Sequence, residues 1–194
     1  MQSSNHLFPV FLKLENLQLL IVGGGYVGME KLEAVISNSP AASITLVATQ
    51  ISDAIKDLAK KYPNIILKEK PYHINDLANN DIVIAAINDP VISKQVVTDA
   101  KSKKILVNAA DKPELCDFYL GSIVQKGNLK IAISTNGTSP TIAKRIKEVL
   151  NDTLPDEIDS LLHNMQNIRN KMSGDFTEKV KQLNEITKKL AVNK

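Results

Sequence analysis

Gly23, Gly25 and Gly28 stand at the spacing G-x-G-x-x-G, directly behind the apolar run Leu19-Leu20-Ile21-Val22. Residues of these types at this spacing can hold a pyrophosphate. Gly23 permits a tight turn at the end of a strand. Gly25 has no Cβ, so the backbone can approach the phosphates closely. Gly28 lets a helix pack tightly on a sheet. The phosphates then meet free N–H groups and the positive end of a helix dipole. Gly24, Tyr26 and Val27 belong to the same turn and join the candidate cofactor contacts. The bare pattern is weak, and its weight comes from the strand pattern before it and the helix pattern after it. The plainer alternative is a glycine-rich turn that binds no nucleotide.

Further along, Asp111 follows an apolar run at the end of a strand pattern. A carboxylate within reach of a substrate can accept or return a proton, which is worth about 10²–10⁴-fold in rate. The competing role is an Asx-turn ahead of Pro113. Asn88 and Asn108 close two other strand patterns and could hydrogen-bond a nicotinamide or a ribose, or simply cap loops. Thr49 and Gln50 end the second strand, where a dinucleotide ribose would be met. Ser134, Thr135, Asn136, Thr138 and Ser139 lead into a helix start at Pro140. A hydroxyl-lined helix N-terminus suits a carboxylate, and Lys144, Arg145 and Lys147 could pair with others. An ordinary N-cap with a solvated basic face is the alternative there. No metal ligand set is expected: His6, His73 and His163 are far apart, and Cys116 stands alone.

These residues need a frame. Leu17–Val22, Ser43–Ala48, Asn64–Lys68, Asp81–Ile87 and Lys104–Ala109 read as strands, and Tyr26–Ser37, Ser52–Lys61 and Pro90–Ser102 as helices. Strands alternating with helices imply an α/β fold, a Rossmann-like doubly wound parallel sheet with its ligand crevice at the C-terminal strand ends. Phe118–Gln125 and Leu129–Thr135 read as a hairpin across Lys126-Gly127-Asn128. That hairpin could extend the sheet or pair with another subunit. Helices follow over Pro140–Asn151, from Pro155, and over Phe176–Ala191. The expected division is a nucleotide-binding domain over 1–117, a connector or dimerisation region over 118–150, and a small helical domain over 151–194.

Composition narrows the function classes. Aromatics make up 4% of the 194 residues and Trp is absent, so a base-stacking nucleic-acid platform is not expected. The net charge of +3 is uneven. Residues 1–119 carry 12 Lys and Arg against 13 Asp and Glu, and residues 120–194 carry 12 against 8. An acidic partner would favour the second part. One cysteine rules out a disulfide within the chain and fits a reducing compartment. The start of the chain lacks a secretory signal pattern, and no apolar run is long enough to span a bilayer. The expected location is cytoplasmic, without membrane association.

Four stretches together resemble the dehydrogenase/ferrochelatase part of siroheme synthase, the precorrin-2 dehydrogenase family. They are Phe8-Pro9-Val10-Phe11-Leu12; Gly23 to Gly28 with Lys31; Val107-Asn108-Ala109-Ala110-Asp111 with Pro113 and Phe118; and Ile133 to Pro140 with Ala143. Their order and spacing match over essentially the whole chain. The resemblance implies NAD-dependent oxidation of precorrin-2 to sirohydrochlorin, with Fe2+ insertion as a second step in many members. It implies a homodimer, and it sets Asp111 where the family has its proposed catalytic carboxylate. Ser134 to Ser139, with Lys144 and Arg145, would then hold some of the eight carboxylates of the tetrapyrrole. The chain ends at Lys194, so the methyltransferase domain fused to larger members is expected to be absent. Gly28 stands where the family often has Ala, Gly121 where a Pro is common, and Lys144-Arg145 shifts the usual basic residue. The second strand ends Ala48-Thr49-Gln50 without an acid, which leaves NAD or NADP open from the residues, while the resemblance favours NAD. The other function weighed is a non-catalytic nucleotide-sensing Rossmann module, which would need neither Asp111 nor the hydroxyl-rich loop.

Overall fold

Short apolar runs in the first half of the chain build a sheet whose central strands are buried on both faces. The computed structural model describes residues 5–110, 112–172 and 175–188. They fall into two units, 1–120 and 121–194. In the first, β1 (Gln18–Val22), α1 (Tyr26–Asn38), β2 (Ser43–Ala48), α2 (Asp53–Ala59), β3 (Ile65–Glu69), β4 (Ile82–Ala85), α3 (Pro90–Ser102) and β5 (Leu106–Ala109) follow in chain order. The strands pair in parallel in the order β3-β2-β1-β4-β5. This is the Rossmann-like arrangement expected from the alternation of elements.

The two-residue period of a strand decides which side chain goes to which face. Leu19, Ile21, Ile44, Leu46, Ile82 and Ile84 pack with Leu32 and Ile36 of α1 and Ile55 of α2. Leu20, Val22, Val83, Ala85, Val107 and Ala109 pack with Val96, Val97 and Ala100 of α3. Each central strand is therefore an unbroken apolar run, as a parallel sheet covered on both faces requires. Pro90 at the first position of α3 and Asp89 at its N-cap start that helix at the residue expected.

In the second unit, β6 (Ser122–Lys126) and β7 (Leu129–Ile133) form a separate antiparallel pair rather than an extension of the main sheet. The turn is Gly127-Asn128, with Gly127 at φ +54°. β6 begins at Ser122, not at Phe118: Phe118 packs against the core of the first unit, and its carbonyl accepts a hydrogen bond from Asn108. The helices α4 (Pro140–Thr153), α5 (Ile158–Lys171) and α6 (Phe176–Thr187) follow. α4 packs on the hairpin, burying Ala143 and Val124. Asp159 of α5 accepts from the Asn128 N–H at 2.7 Å and so ties the turn to that helix. No helix among the described residues is long and apolar enough to cross a membrane.

Candidate functional site

A cleft of about 710 Å³ opens in the first unit at the C-terminal ends of β1, β2 and β4. β1 and β4 are neighbours whose connections run to opposite faces, the switch point where α/β sheets bind ligands. The cleft is lined by Gly23 to Val27 from the first turn, Thr49 to Ser52 after β2, Ala86 to Asp89 after β4, and Tyr72.

The glycines do different work. Gly23 sits at φ +131°, and a Cβ there would lie 2.1 Å from the Ala86 carbonyl oxygen. Its N–H donates to the Val47 carbonyl at 2.9 Å. A Cβ on Gly24 would lie 2.2 Å from the Gln50 carbonyl oxygen, and a Cβ on Gly28 2.2 Å from that of Gly23. These three are required by the protein's own backbone. Gly28 lies behind the turn and outside the lining; in this backbone even a methyl group there would crowd the Gly23 carbonyl. Gly25 alone has nothing within 4 Å of its missing Cβ. It is the N-cap of α1 and offers no capping side chain, so the first-turn N–H groups face the cleft without a side-chain acceptor. A cradle that excludes its own side chain and presents free donors fits a dinucleotide pyrophosphate.

Thr49, Gln50 and Asn88 line the cleft, and Asp89 beside Asn88 is taken up by α3, accepting from the Val91 and Ile92 N–H groups at 2.8 and 3.2 Å. Asn108 does not line it. That side chain is 6% exposed and turned inward, its amide donating to the Phe118 carbonyl at 2.9 Å. Asn108 thus braces the segment after β5, together with Cys116, whose thiol donates to the Ala109 carbonyl at 3.2 Å. Burial pushes the Cys116 thiol above its ordinary range. Asp111 lies outside the described residues.

Two residues have no local sequence signal, Glu69 behind the loop after β2 and Tyr72 in the cleft lining. Glu69, the last residue of β3, accepts through Oε1 from the Ile51 N–H at 3.1 Å and pairs through Oε2 with Lys56 at 3.1 Å. The backbone hydrogen bond from Ile51 and the one from Lys56 hold its carboxyl below the usual carboxylate range. Tyr72 donates its hydroxyl to Asp99 Oδ2 at 3.1 Å, and Asp99, 7% exposed, also accepts from Gln95 at 2.8 Å. Burial, and then the neighbouring Asp99 carboxylate, push the Tyr72 phenol well above its usual range. Both are long-range contacts, and only the strand register could have pointed to Glu69, which pairs beside Ala48.

The hydroxyl loop is in the second unit. Ser139 caps α4, accepting from the Ile142 N–H at 3.2 Å. Thr135 Oγ1 accepts from the Ser139 N–H at 3.2 Å and donates to its carbonyl at 3.1 Å, and Ser134 Oγ accepts from the Asn136 N–H. Asn136 and Gly137 take positive φ. These hydroxyls shape the turn, while Thr138, Lys144 and Arg145 are exposed. Arg145 pairs with Glu148 at 2.6 Å. Among the described residues no three His, Cys, Asp or Glu side chains gather into a group that could hold a metal ion.

Comparison with known proteins agrees with this architecture. A family model described as "Putative NAD(P)-binding" matches residues 10–122, and one described as "Sirohaem biosynthesis protein central" matches residues 126–152. The siroheme synthase of Methylococcus capsulatus is 32% identical over 174 residues, 90% of this chain and 34% of the relative. That of Psychrobacter cryohalolentis is 33% identical over 174 residues, 90% of this chain and 31% of the relative. The chain thus spans about a third of the length of these curated relatives. A solved structure named "SirC, precorrin-2 dehydrogenase" superposes with a TM-score of 0.73 at 27% identity, covering 93% of this chain and 89% of that one. With a parallel sheet, a glycine cradle at its switch point and a match over most of the first unit, the chain belongs to the putative NAD(P)-binding family that this model describes.

Proposed function

We propose that this protein is an NAD-dependent precorrin-2 dehydrogenase of siroheme biosynthesis, acting in the cytoplasm. The observation that carries the reading is the likeness to SirC over nearly the whole of both chains, with the glycine cradle intact. Gly23 to Val27 would hold the pyrophosphate, with Thr49, Gln50 and Asn88 around the ribose and nicotinamide. Bound NAD+ supplies the hydride acceptor. Loss of hydride from the reduced tetrapyrrole also releases a proton, and Asp111, two residues beyond β5, is proposed to accept it. Ser134 to Ser139 with Lys144 and Arg145 would engage substrate carboxylates. We further propose a homodimer built on the region 118–150, favoured by Ile142, Ile146 and Val149, which share one face of α4 and are 52, 41 and 61% exposed. Insertion of Fe2+ as a second substrate would reuse Asp111 to take up pyrrole protons.

The test supplies precorrin-2 and NAD+ and follows NADH at 340 nm, then adds Fe2+ to preformed sirohydrochlorin. NADH formation above the protein-free rate establishes the dehydrogenase, and accelerated metal insertion adds the second activity. NAD+ binding with no turnover would replace the enzymatic reading with a nucleotide-sensing module. Full activity in Asp111→Ala would remove that residue from the chemistry.

A further inference from the structure

Many dinucleotide enzymes carry an acid at the end of the second strand to hold the ribose 2′-hydroxyl and to repel a 2′-phosphate. Here β2 ends Ala48-Thr49-Gln50, with no acid. The adjacent strand supplies one. Glu69 pairs in register with Ala48, and neighbouring strands lie about 4.8 Å apart. Its carboxylate is committed to the β2–α2 loop, because Oε1 accepts from the N–H of Ile51, a residue that lines the cleft. The nearest cation on α2, Lys56, is spent on that same carboxylate at 3.1 Å. Lys70, the next residue on the chain, is paired with Asp76 at 2.6 Å. The loop at the end of the cleft that would receive a ribose is therefore backed by a carboxylate fixed on the Ile51 N–H, and Lys56 and Lys70 are each paired with an acid.

We propose that Glu69, acting with Lys56, makes this site prefer a dinucleotide with a free ribose 2′-hydroxyl over one bearing a 2′-phosphate. From behind the loop the carboxylate would act on the phosphate as a like charge, and it pairs with the one ammonium on α2 that could neutralise it. Glu69 is a positioning and specificity residue here. It rests on the reading of the cleft as a nicotinamide dinucleotide site.

The experiment measures dissociation constants of NAD+ and NADP+ on the full chain by calorimetry, in the absence of tetrapyrrole. Wild type should bind NAD+ more tightly. Glu69→Gln keeps an oxygen for the Ile51 N–H while removing the charge and releasing Lys56. It should shift the ratio of the two constants toward NADP+ by about tenfold or more. Adding Lys56→Gln to Glu69→Gln should reverse most of that shift. Lys56→Gln alone, which leaves the brace on Ile51 in place, should weaken NADP+ further relative to NAD+, and it serves if Glu69→Gln folds poorly. An unchanged ratio in both single variants, or equal weakening of the two nucleotides in Glu69→Gln, would overturn the proposal and leave Glu69 as a loop brace. A wild type that prefers NADP+ would overturn it as well. A wild type that binds neither nucleotide would instead overturn the dinucleotide reading on which it rests.

Discussion

Gly23 and Gly25 stand two residues apart in one motif, yet the backbone separates their roles. Alanine at Gly23 would combine a strained φ of +131° with a Cβ 2.1 Å from the Ala86 carbonyl. Gly23→Ala should therefore destabilise the fold by about 2–4 kcal/mol, read as a lower urea midpoint. At Gly25 the backbone is extended, at φ −93° and ψ −158°, and open space surrounds the missing Cβ. Gly25→Ala should leave stability within about 0.5 kcal/mol while weakening NAD+ binding about tenfold or more, since the added methyl occupies the space the pyrophosphate needs. Equal losses of stability in the two variants would contradict this division. Tyr72 offers a second residue-scale test. Its hydroxyl is one of two side-chain donors to the buried Asp99, so Tyr72→Phe leaves that carboxylate with Gln95 alone. The expected cost is about 1–3 kcal/mol. Because burial and Asp99 push its phenol well above the usual range, Tyr72→Phe should also leave the tyrosinate absorbance change around pH 10 as it is in wild type.

At the scale of elements, the loop after β2 is held by charge as well as by backbone. Glu69 has a folded pKa below its ordinary 4.5, so its contribution is complete above that value and is lost as pH falls through the depressed one. Thermal melts between pH 6 and pH 3 should show wild type losing its margin over Glu69→Gln across that acid window; curves that stay parallel would mean the carboxylate contributes nothing to the loop. The elements themselves were largely legible. The apolar runs of β1, β2 and β4 and the start of α3 at Pro90 are local signals, and the observed spans differ from the expected ones mainly at their ends. Ser52–Lys61 shortens to Asp53–Ala59 because the chain turns at Lys60 and Lys61 into β3. The Phe118 boundary was hidden because its partners, Asn108 and the sheet core, are ten or more residues away. The site was legible where one turn makes it, as in Gly23 to Val27. It was illegible where a strand and a distant loop, or a loop and a distant helix, make it, as with Glu69 against Ile51 and Tyr72 against Asp99. Asn108 shows the opposite failure: a strand-end amide suggests a ligand contact, yet 6% exposure and a carbonyl partner commit it to the fold.

Over the whole molecule the charge is divided much as the proposed ligands would divide. Residues 1–119 carry a slight acidic excess, and residues 120–194 carry 12 Lys and Arg against 8 Asp and Glu. The proposed tetrapyrrole substrate, with its eight carboxylates, would be drawn to the second part by a field that salt screens, with a Debye length of about 10 Å at 0.1 M and about 3 Å at 1 M. The dinucleotide cradle instead works through backbone N–H groups at short range, where screening matters less. A substrate carboxylate would compete with Glu148 for Arg145, because that pair is 72 and 41% exposed, and an exposed pair of this kind is worth only about 0–1 kcal/mol. Raising salt from about 50 to 500 mM should therefore raise KM for precorrin-2 by about three- to tenfold while KM for NAD+ changes less than about twofold. Lys144→Gln with Arg145→Gln should raise KM for precorrin-2 at low salt and flatten its salt dependence, leaving that of NAD+ as it was. If both constants respond to salt alike, the basic excess of the second unit is a solvated surface, and the substrate carboxylates must be recognised by other groups.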